Sequence, residues 1–233
     1  MHIELLHLLE GAGRARGLAV VIDVFRAFSL ECYLFDRGVE KIYAVGTKEE
    51  AYRRKEAYPD YILVGERKGI MLPGFDFGNS PSQTEHARLA GKTVVHTTSA
   101  GTQGLVRASA AGADEIITGS LVNASAIADY IRRKDPEYVS LICMGVNGTV
   151  PAPEDELCGR YIKSLLTGES IDMGKELIDL INAPSSSKFF EKKWQSVFPV
   201  KDLLMCIDYD QFPFILKVKR LTDDVFEINK ESV

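Results

Sequence analysis

The chain has 233 residues, 45% of them hydrophobic and 26% charged, enough to bury a sizeable core as one large domain or two small ones. Its net charge of −5 spreads over 28 basic and 33 acidic side chains without a long run of either sign, which argues against nucleic acid and anionic membrane as partners. No apolar run approaches the roughly 20 residues of a membrane span, Glu4 and Glu10 interrupt the stretch where a signal peptide would be apolar, and Cys32, Cys143, Cys158 and Cys206 lack CxxC spacing, so a cytoplasmic location is expected.

In chain order, short runs rich in Val, Ile and Tyr predict strands over 18–22 (LAVVI), 41–45 (KIYAV), 61–64 (YILV), 92–98 (KTVVHTT), 115–118 (EIIT) and 138–144 (YVSLICM). Helices are expected between them over 25–37, 48–57, 81–90, 102–111 and 123–134, three of them stopping at Gly38, Gly91 and Gly112. After residue 150 the rhythm changes to helices over 154–167, about 173–181 and about 186–196, then a terminal hairpin of FPFILKV (212–218) and VFEIN (225–229). Nearly continuous apolar strands alternating with helices predict an α/β fold, a mostly parallel (mixed) sheet between two helical layers in a three-layer α/β/α arrangement. The change of rhythm divides the chain into a 1–150 α/β core and a 151–233 segment of helices and hairpin packed on the same unit.

In such sheets ligands bind beyond the carboxyl ends of the strands, and those positions are polar here. The run LAVVI stops on Asp23, answered three residues later by Arg26, and YILV leads into GERKG with Glu66 and Arg67. In TTSAGT, the hydroxyls of Thr97, Thr98 and Ser99, the tight turn allowed by Gly101 and the helix start near Thr102 suit a phosphate or sulfonate; a hydroxyl-capped helix start without a ligand reads equally well. Ser80, Pro81 and Gln83 form a capping-box pattern, leaving Asp76 and Asn79 to make Asx-turns or face a ligand. Ser120 and Asn123 follow EIIT in the turn GSLVN. Glu154 and Asp155 fall in the first turn of a helix, where acidic residues compensate the helix dipole or, with Asp23 from another strand, make an oxygen-rich Mg²⁺ site. His96 stands alone at a strand end, and HExxH, GxSxG and the DxDx[TV]-like aspartyl-phosphatase signature are absent.

Taken together, VIDVFRAFS, GERKG, FDFGNSPS, TTSAGT, TGSLVNASA and PEDELCGRY, spread over roughly residues 18–165, resemble the 2-phosphosulfolactate phosphatase family. The resemblance implies Mg²⁺-dependent hydrolysis of 2-phosphosulfolactate to sulfolactate, a step of coenzyme M biosynthesis, on an α/β fold of the family's own. It implies catalytic roles for Asp23, Arg26, Glu66 and Arg67, contacts to a small anionic phosphorylated substrate from Asn79, Ser80, Thr97, Thr98, Ser99, Gly101, Thr102, Ser120 and Asn123, and Mg²⁺ ligation by Asp23, Glu154 and Asp155. Asp23 is open to two roles, nucleophile or base and metal ligand, and the missing aspartyl-phosphatase signature favours attack by water. Phe28 and the pair Ser99–Ala100 depart from the family's usual residues, which bears on pocket shape. The alternatives are another small phosphorylated hydroxy acid as substrate and a non-catalytic anion-binding module. For a soluble enzyme of this size a homodimer is the prior expectation.

Overall fold

Five successive apolar residues without polar alternation have to be covered on both faces. In the computed structural model, which describes residues 1–233, Leu18–Ile22 form a strand with every side chain buried. This strand, β2, belongs to a series comprising β1 (His2–His7), α1 (Leu8–Ala12), β2, α2 (Ala27–Asp36), β3 (Lys41–Val45), α3 (Lys48–Ala57), β4 (Ile62–Arg67) and β5 (Ile70–Met71). There follow β6 (Thr93–Thr97), α4 (Gly101–Ala111), β7 (Glu115–Gly119), α5 (Ala124–Lys134), β8 (Tyr138–Cys143), α6 (Pro153–Thr167), α7 (Met173–Ile181), α8 (Val200–Ile207), β9 (Phe214–Arg220) and β10 (Val225–Ser232).

The strands make one ten-stranded sheet in the order β1-β8-β2-β7-β9-β10-β3-β6-β4-β5. The first four run parallel, as do β3, β6 and β4. Between these blocks sits the terminal hairpin, β9 antiparallel to β7, β10 antiparallel to β9, and β3 antiparallel to β10. Three reversals in succession leave the two parallel blocks with opposite senses along the sheet. The carboxyl ends of β2 and β6 nevertheless meet: Gly101, which opens α4 after β6, donates its N–H to Asp23 Oδ2 after β2 at 2.9 Å.

Alternation sorts the side chains between the faces. Ala19 and Val21 join Phe28, Leu30, Leu105 and Ala108 in a cluster of 29 buried residues under α1, α2 and α4. Leu18, Val20 and Ile22 join Ile127, Leu157, Ile162, Leu180 and Leu203 in a cluster of 24 under α5–α8, and Ala51 of α3 packs with Val45 and Val95 over the far end of that face. The result is a three-layer α/β/α fold around a mixed sheet. A Cβ at Gly104 would stand 2.5 Å from Met144 Sδ and 2.7 Å from Val21 Cγ1, so glycine lets α4 lie close on the sheet and fixes where its N-terminus points.

Two expected helices are not formed. Residues 81–90 contain only the 3₁₀ turn Ser82–Thr84. The Gln83 side chain, instead of returning to the Ser80 backbone, donates to Ser196 O at 2.9 Å, while Ser82 N–H goes to Asp202 Oδ1 at 3.0 Å and the Arg37 guanidinium donates to Pro81 O at 2.8 Å. The Arg37 guanidinium thus takes up Pro81 O, a carbonyl that a continuing helix would pair internally, and Asp202 takes Ser82 N–H, which the first turn of a helix leaves unpaired. Residues 186–196 break into 3₁₀ turns at Pro184–Phe189 and Lys192–Trp194, where the Gln195 side-chain amide donates to Phe189 O at 2.5 Å. The strand expected over 61–64 runs on to Arg67, placing Glu66 inside β4 rather than after it. β1, α1, β5 and α8 have no counterpart in the sequence reading. No helix is long and apolar enough to cross a membrane.

Candidate active site

The ends of β2, β4 and β6 and the first turn of α6 enclose a cavity of about 240 Å³. Of the residues singled out in the sequence, Asp23, Arg26, Glu66, Asn79, Ser99, Glu154 and Asp155 line it, together with Ala100; Lys68, Asn147, Lys188 and Phe198 do so without having been anticipated.

Backbone amides hold the carboxylates in place. Asp155 Oδ1 accepts Val24 N–H at 2.8 Å and Oδ2 accepts Gly145 N–H at 2.7 Å, so one side chain ties the end of β2 to the loop after β8. Glu66 Oε1 accepts Ser99 N–H at 2.7 Å, and Oε2 accepts the Ser99 hydroxyl at 3.0 Å and Gly69 N–H. Asp23 accepts Gly101 N–H, while Glu154 Oε2 is one of two buried side-chain polar atoms in the chain with no hydrogen-bond partner.

Burial, reinforced by Glu66, pushes the Asp23 carboxyl up to about 7 against the opposing Gly101 N–H. Burial also raises Asp155 well above its ordinary value, with Asp23 and Glu154 adding to it, and raises Glu154. Desolvated carboxylates that repel one another, one with an unpartnered oxygen, suit a hard divalent cation with oxygen ligands. Mg²⁺ fits this set, with Asp23, Glu154 and Asp155 as the residues that would hold it.

Arg26 lines the same cavity, one guanidinium nitrogen donating to Asp202 Oδ2 and to Val197 O, both at 2.6 Å, with the group 4.6 Å from the centroid of the Phe198 ring. A guanidinium has five N–H donors, so this anchoring leaves others for a ligand. Asp202 is fully buried and also accepts Ser80 Oγ–H at 3.0 Å and Ser82 N–H. Asp202→Ala, which strands a buried guanidinium, is expected to lower unfolding free energy by about 3–5 kcal/mol. Urea denaturation measures this; a loss below about 1 kcal/mol would show the pair to be dispensable.

Other residues named from sequence lie nearby but turn elsewhere. Arg67 donates to Glu66 O at 2.7 Å and to Thr97 Oγ1 at 3.0 Å, away from the cavity. Thr98 and Thr102 cap one another, each side-chain oxygen taking the other's N–H at 3.1 and 3.3 Å. The amides of Thr98, Ser99, Gly101 and Thr102 are therefore occupied by Asp23, Glu66 and the paired threonines, while the N–H of cavity-lining Ala100 has no partner within the protein. Ser80 serves Asp202, and Ser120 and Asn123 form a capping box around the 3₁₀ turn Leu121–Asn123, with Ser120 2.5 Å from Ser29 Oγ. Asn79 reaches the cavity with its Oδ1 3.1 Å from His96 Nε2, and His96 Nδ1 lies 2.8 Å from Glu31 Oε1. That buried line gives His96 its place and leaves the Asn79 amide nitrogen toward the cavity. Phe28, one of the departures from the resembled pattern, packs beneath Gly101 rather than lining the site.

Carboxylates, a guanidinium and ammonium groups around one cavity at strand ends of an α/β sheet define an enzyme site for a small charged ligand. The chain belongs to the 2-phosphosulpholactate phosphatase family, whose profile matches residues 5–220. It is 31% identical over 204 residues, 86% of each chain, to the "Probable 2-phosphosulfolactate phosphatase" of Bacillus subtilis. Proteins of the same name are similar in Clostridium perfringens, 35% identical over 226 residues covering 93% of this chain and 87% of that one, and in Carboxydothermus hydrogenoformans, 39% over 167 residues covering 71% and 68%.

Proposed function

We propose that the protein is a Mg²⁺-dependent phosphatase that hydrolyses 2-phosphosulfolactate to sulfolactate and inorganic phosphate, in the service of coenzyme M biosynthesis. The observation that carries this reading is the cavity itself, where Asp23, Glu66, Glu154 and Asp155 converge with Glu154 Oε2 unpartnered and Arg26 faces them. Family membership supplies the ester.

Phosphomonoester hydrolysis needs an in-line nucleophile and positive charge around the transferring group. Mg²⁺ held by Asp23, Glu154 and Asp155 would supply part of that charge and polarise the phosphoryl oxygens. Asp23, delivered by β2 and oriented by Gly101 N–H, positions the attacking water and takes its proton. The free N–H groups of Arg26 meet equatorial phosphoryl oxygens, their direction set by Asp202 and Phe198. The Asn79 amide, fixed through His96, adds a neutral donor.

Phosphate release from 2-phosphosulfolactate, measured against a panel of small phosphomonoesters with Mg²⁺ and with EDTA, tests the proposal. The expected result is preference for 2-phosphosulfolactate and loss of turnover in EDTA. Faster release from another phosphorylated hydroxy acid would reassign the substrate. Binding without release while Mg²⁺ is bound would leave only an anion-binding module.

A further inference from the structure

Lys188 lies in the 3₁₀ turn Pro184–Phe189, beyond the last segment that carries the family resemblance. It is half-buried and lines the cavity, yet it forms neither an ion pair nor a hydrogen bond within the protein. Two aromatic rings flank its ammonium: the Nζ atom is 5.0 Å from the centroid of Phe198 and 5.4 Å from that of Phe189. Phe198 is also the ring on which Arg26 rests at 4.6 Å, so one aromatic side chain lies against both cations. Burial lowers the Lys188 pKa, while Glu154, Asp23 and Glu66 raise it and Arg26 opposes them.

An ammonium withdrawn from water without a partner is costly, and three carboxylates stand near without touching it. Asp23 and Glu66 are held away from it by backbone N–H groups, and Glu154, with its Oε2 unpartnered, makes no contact with it either. The gap between this fixed acidic wall and the Lys188–Phe198–Arg26 edge therefore suits an anion that faces the wall on one side and two cations on the other.

We propose that Lys188 is a catalytic residue that contacts the phosphoryl group, its ammonium and the Arg26 guanidinium gripping phosphoryl oxygens from the two sides of Phe198. This rests on the phosphatase reading above. The segment 184–198 is thereby part of the catalytic machinery.

The test compares the wild type with Lys188→Met and Lys188→Arg. Calorimetric titration with inorganic phosphate in the presence of Mg²⁺ is expected to show about 10–100-fold weaker binding in K188M, the effect of losing one charged hydrogen bond. The kcat/KM of K188M falls about 10²–10³-fold for both 2-phosphosulfolactate and p-nitrophenyl phosphate, and K188R recovers part of it. Mg²⁺ affinity, titrated separately, does not fall, because a cation has been removed from beside the carboxylates. On the unmutated protein, Mg²⁺ with phosphate protects Lys188 from trinitrobenzenesulfonate labelling.

Phosphate affinity in K188M within about threefold of wild type, or no protection from labelling, overturns the proposal. So does a loss confined to 2-phosphosulfolactate, which would put Lys188 on the sulfonate or carboxylate, or an equal loss of Mg²⁺ affinity, which a structural role explains. If the wild type releases no phosphate from 2-phosphosulfolactate, the proposed function fails, while the phosphate titration and the labelling still decide the role of Lys188.

Discussion

Asp23→Asn is expected to slow phosphate release from 2-phosphosulfolactate by about 10³-fold or more, since it removes the base for the attacking water and a metal ligand together. It is also expected to make the metal-free protein more stable at neutral pH. Asp23 binds its proton more tightly in the folded chain, at about 7, than at its ordinary value of 3.8. Between those values the native state holds more protons than the unfolded one, so the stability associated with this group falls as pH rises from about 4 to 7 and levels off above. The amide does not titrate, so the gap in melting temperature between variant and wild type, both stripped with EDTA, widens over that window. Steady-state kinetics and thermal melts from pH 4 to 8 measure the two effects; activity within about tenfold of wild type would remove Asp23 from the chemistry. Label from radioactive phosphate retained on Asp23 after acid quench would instead make it the nucleophile.

The second large effect concerns Glu154. Glu154→Gln keeps the size and the helix position but loses the charge of the one cavity carboxylate with an unpartnered buried oxygen. Mg²⁺ affinity is expected to fall about 10²-fold or more, beyond the 10–100-fold typical of groups that only support ligands. In the wild type at pH 8, Mg²⁺ at about 100 times its dissociation constant adds about 2.7 kcal/mol of stability. That increment shrinks as pH falls through 7 toward 5, because the ion must displace protons that burial holds on Asp23, Asp155 and Glu154. Melting curves with and without Mg²⁺ check both statements. An undiminished Mg²⁺ shift in E154Q and in Asp155→Asn would reduce the acidic pair to a helix cap.

What could be read locally in the sequence was read well. β2, β3 and α7 begin and end where apolar runs and polar punctuation place them, and α4 and α6 stop at left-handed Gly112 and Gly168. Asp23 could be assigned to a strand end because an apolar run has to terminate at the sheet's rim. The fate of the TTSAGT amides was not readable, since the carboxylates that take them come from 78 and 33 residues away. The failed helix over 81–90 has the same cause, a capping pattern whose groups find Asp202 and Ser196 instead. β1 is a partly exposed edge strand that runs straight into α1, and the leucines at 5, 6, 8 and 9 across the two elements fit neither a period of two nor one of 3.6. Lys188, a single lysine in SSSKFF, carries no motif; only the three-dimensional position of the 184–198 strap reveals it.

The hairpin β9–β10 separates the block that supplies Asp23, Glu154 and Asp155 from the block that supplies Glu66 and Ser99. Until residues 214–232 pair with them, β7 and β3 each present an open strand edge, the kind of surface on which chains associate wrongly. The order of synthesis thus runs against the order of assembly. The strands of both parallel blocks leave the ribosome before the piece that joins their sheets, so a nascent chain of this protein carries two unsealed β-edges from the emergence of β7 until residues 214–232 follow.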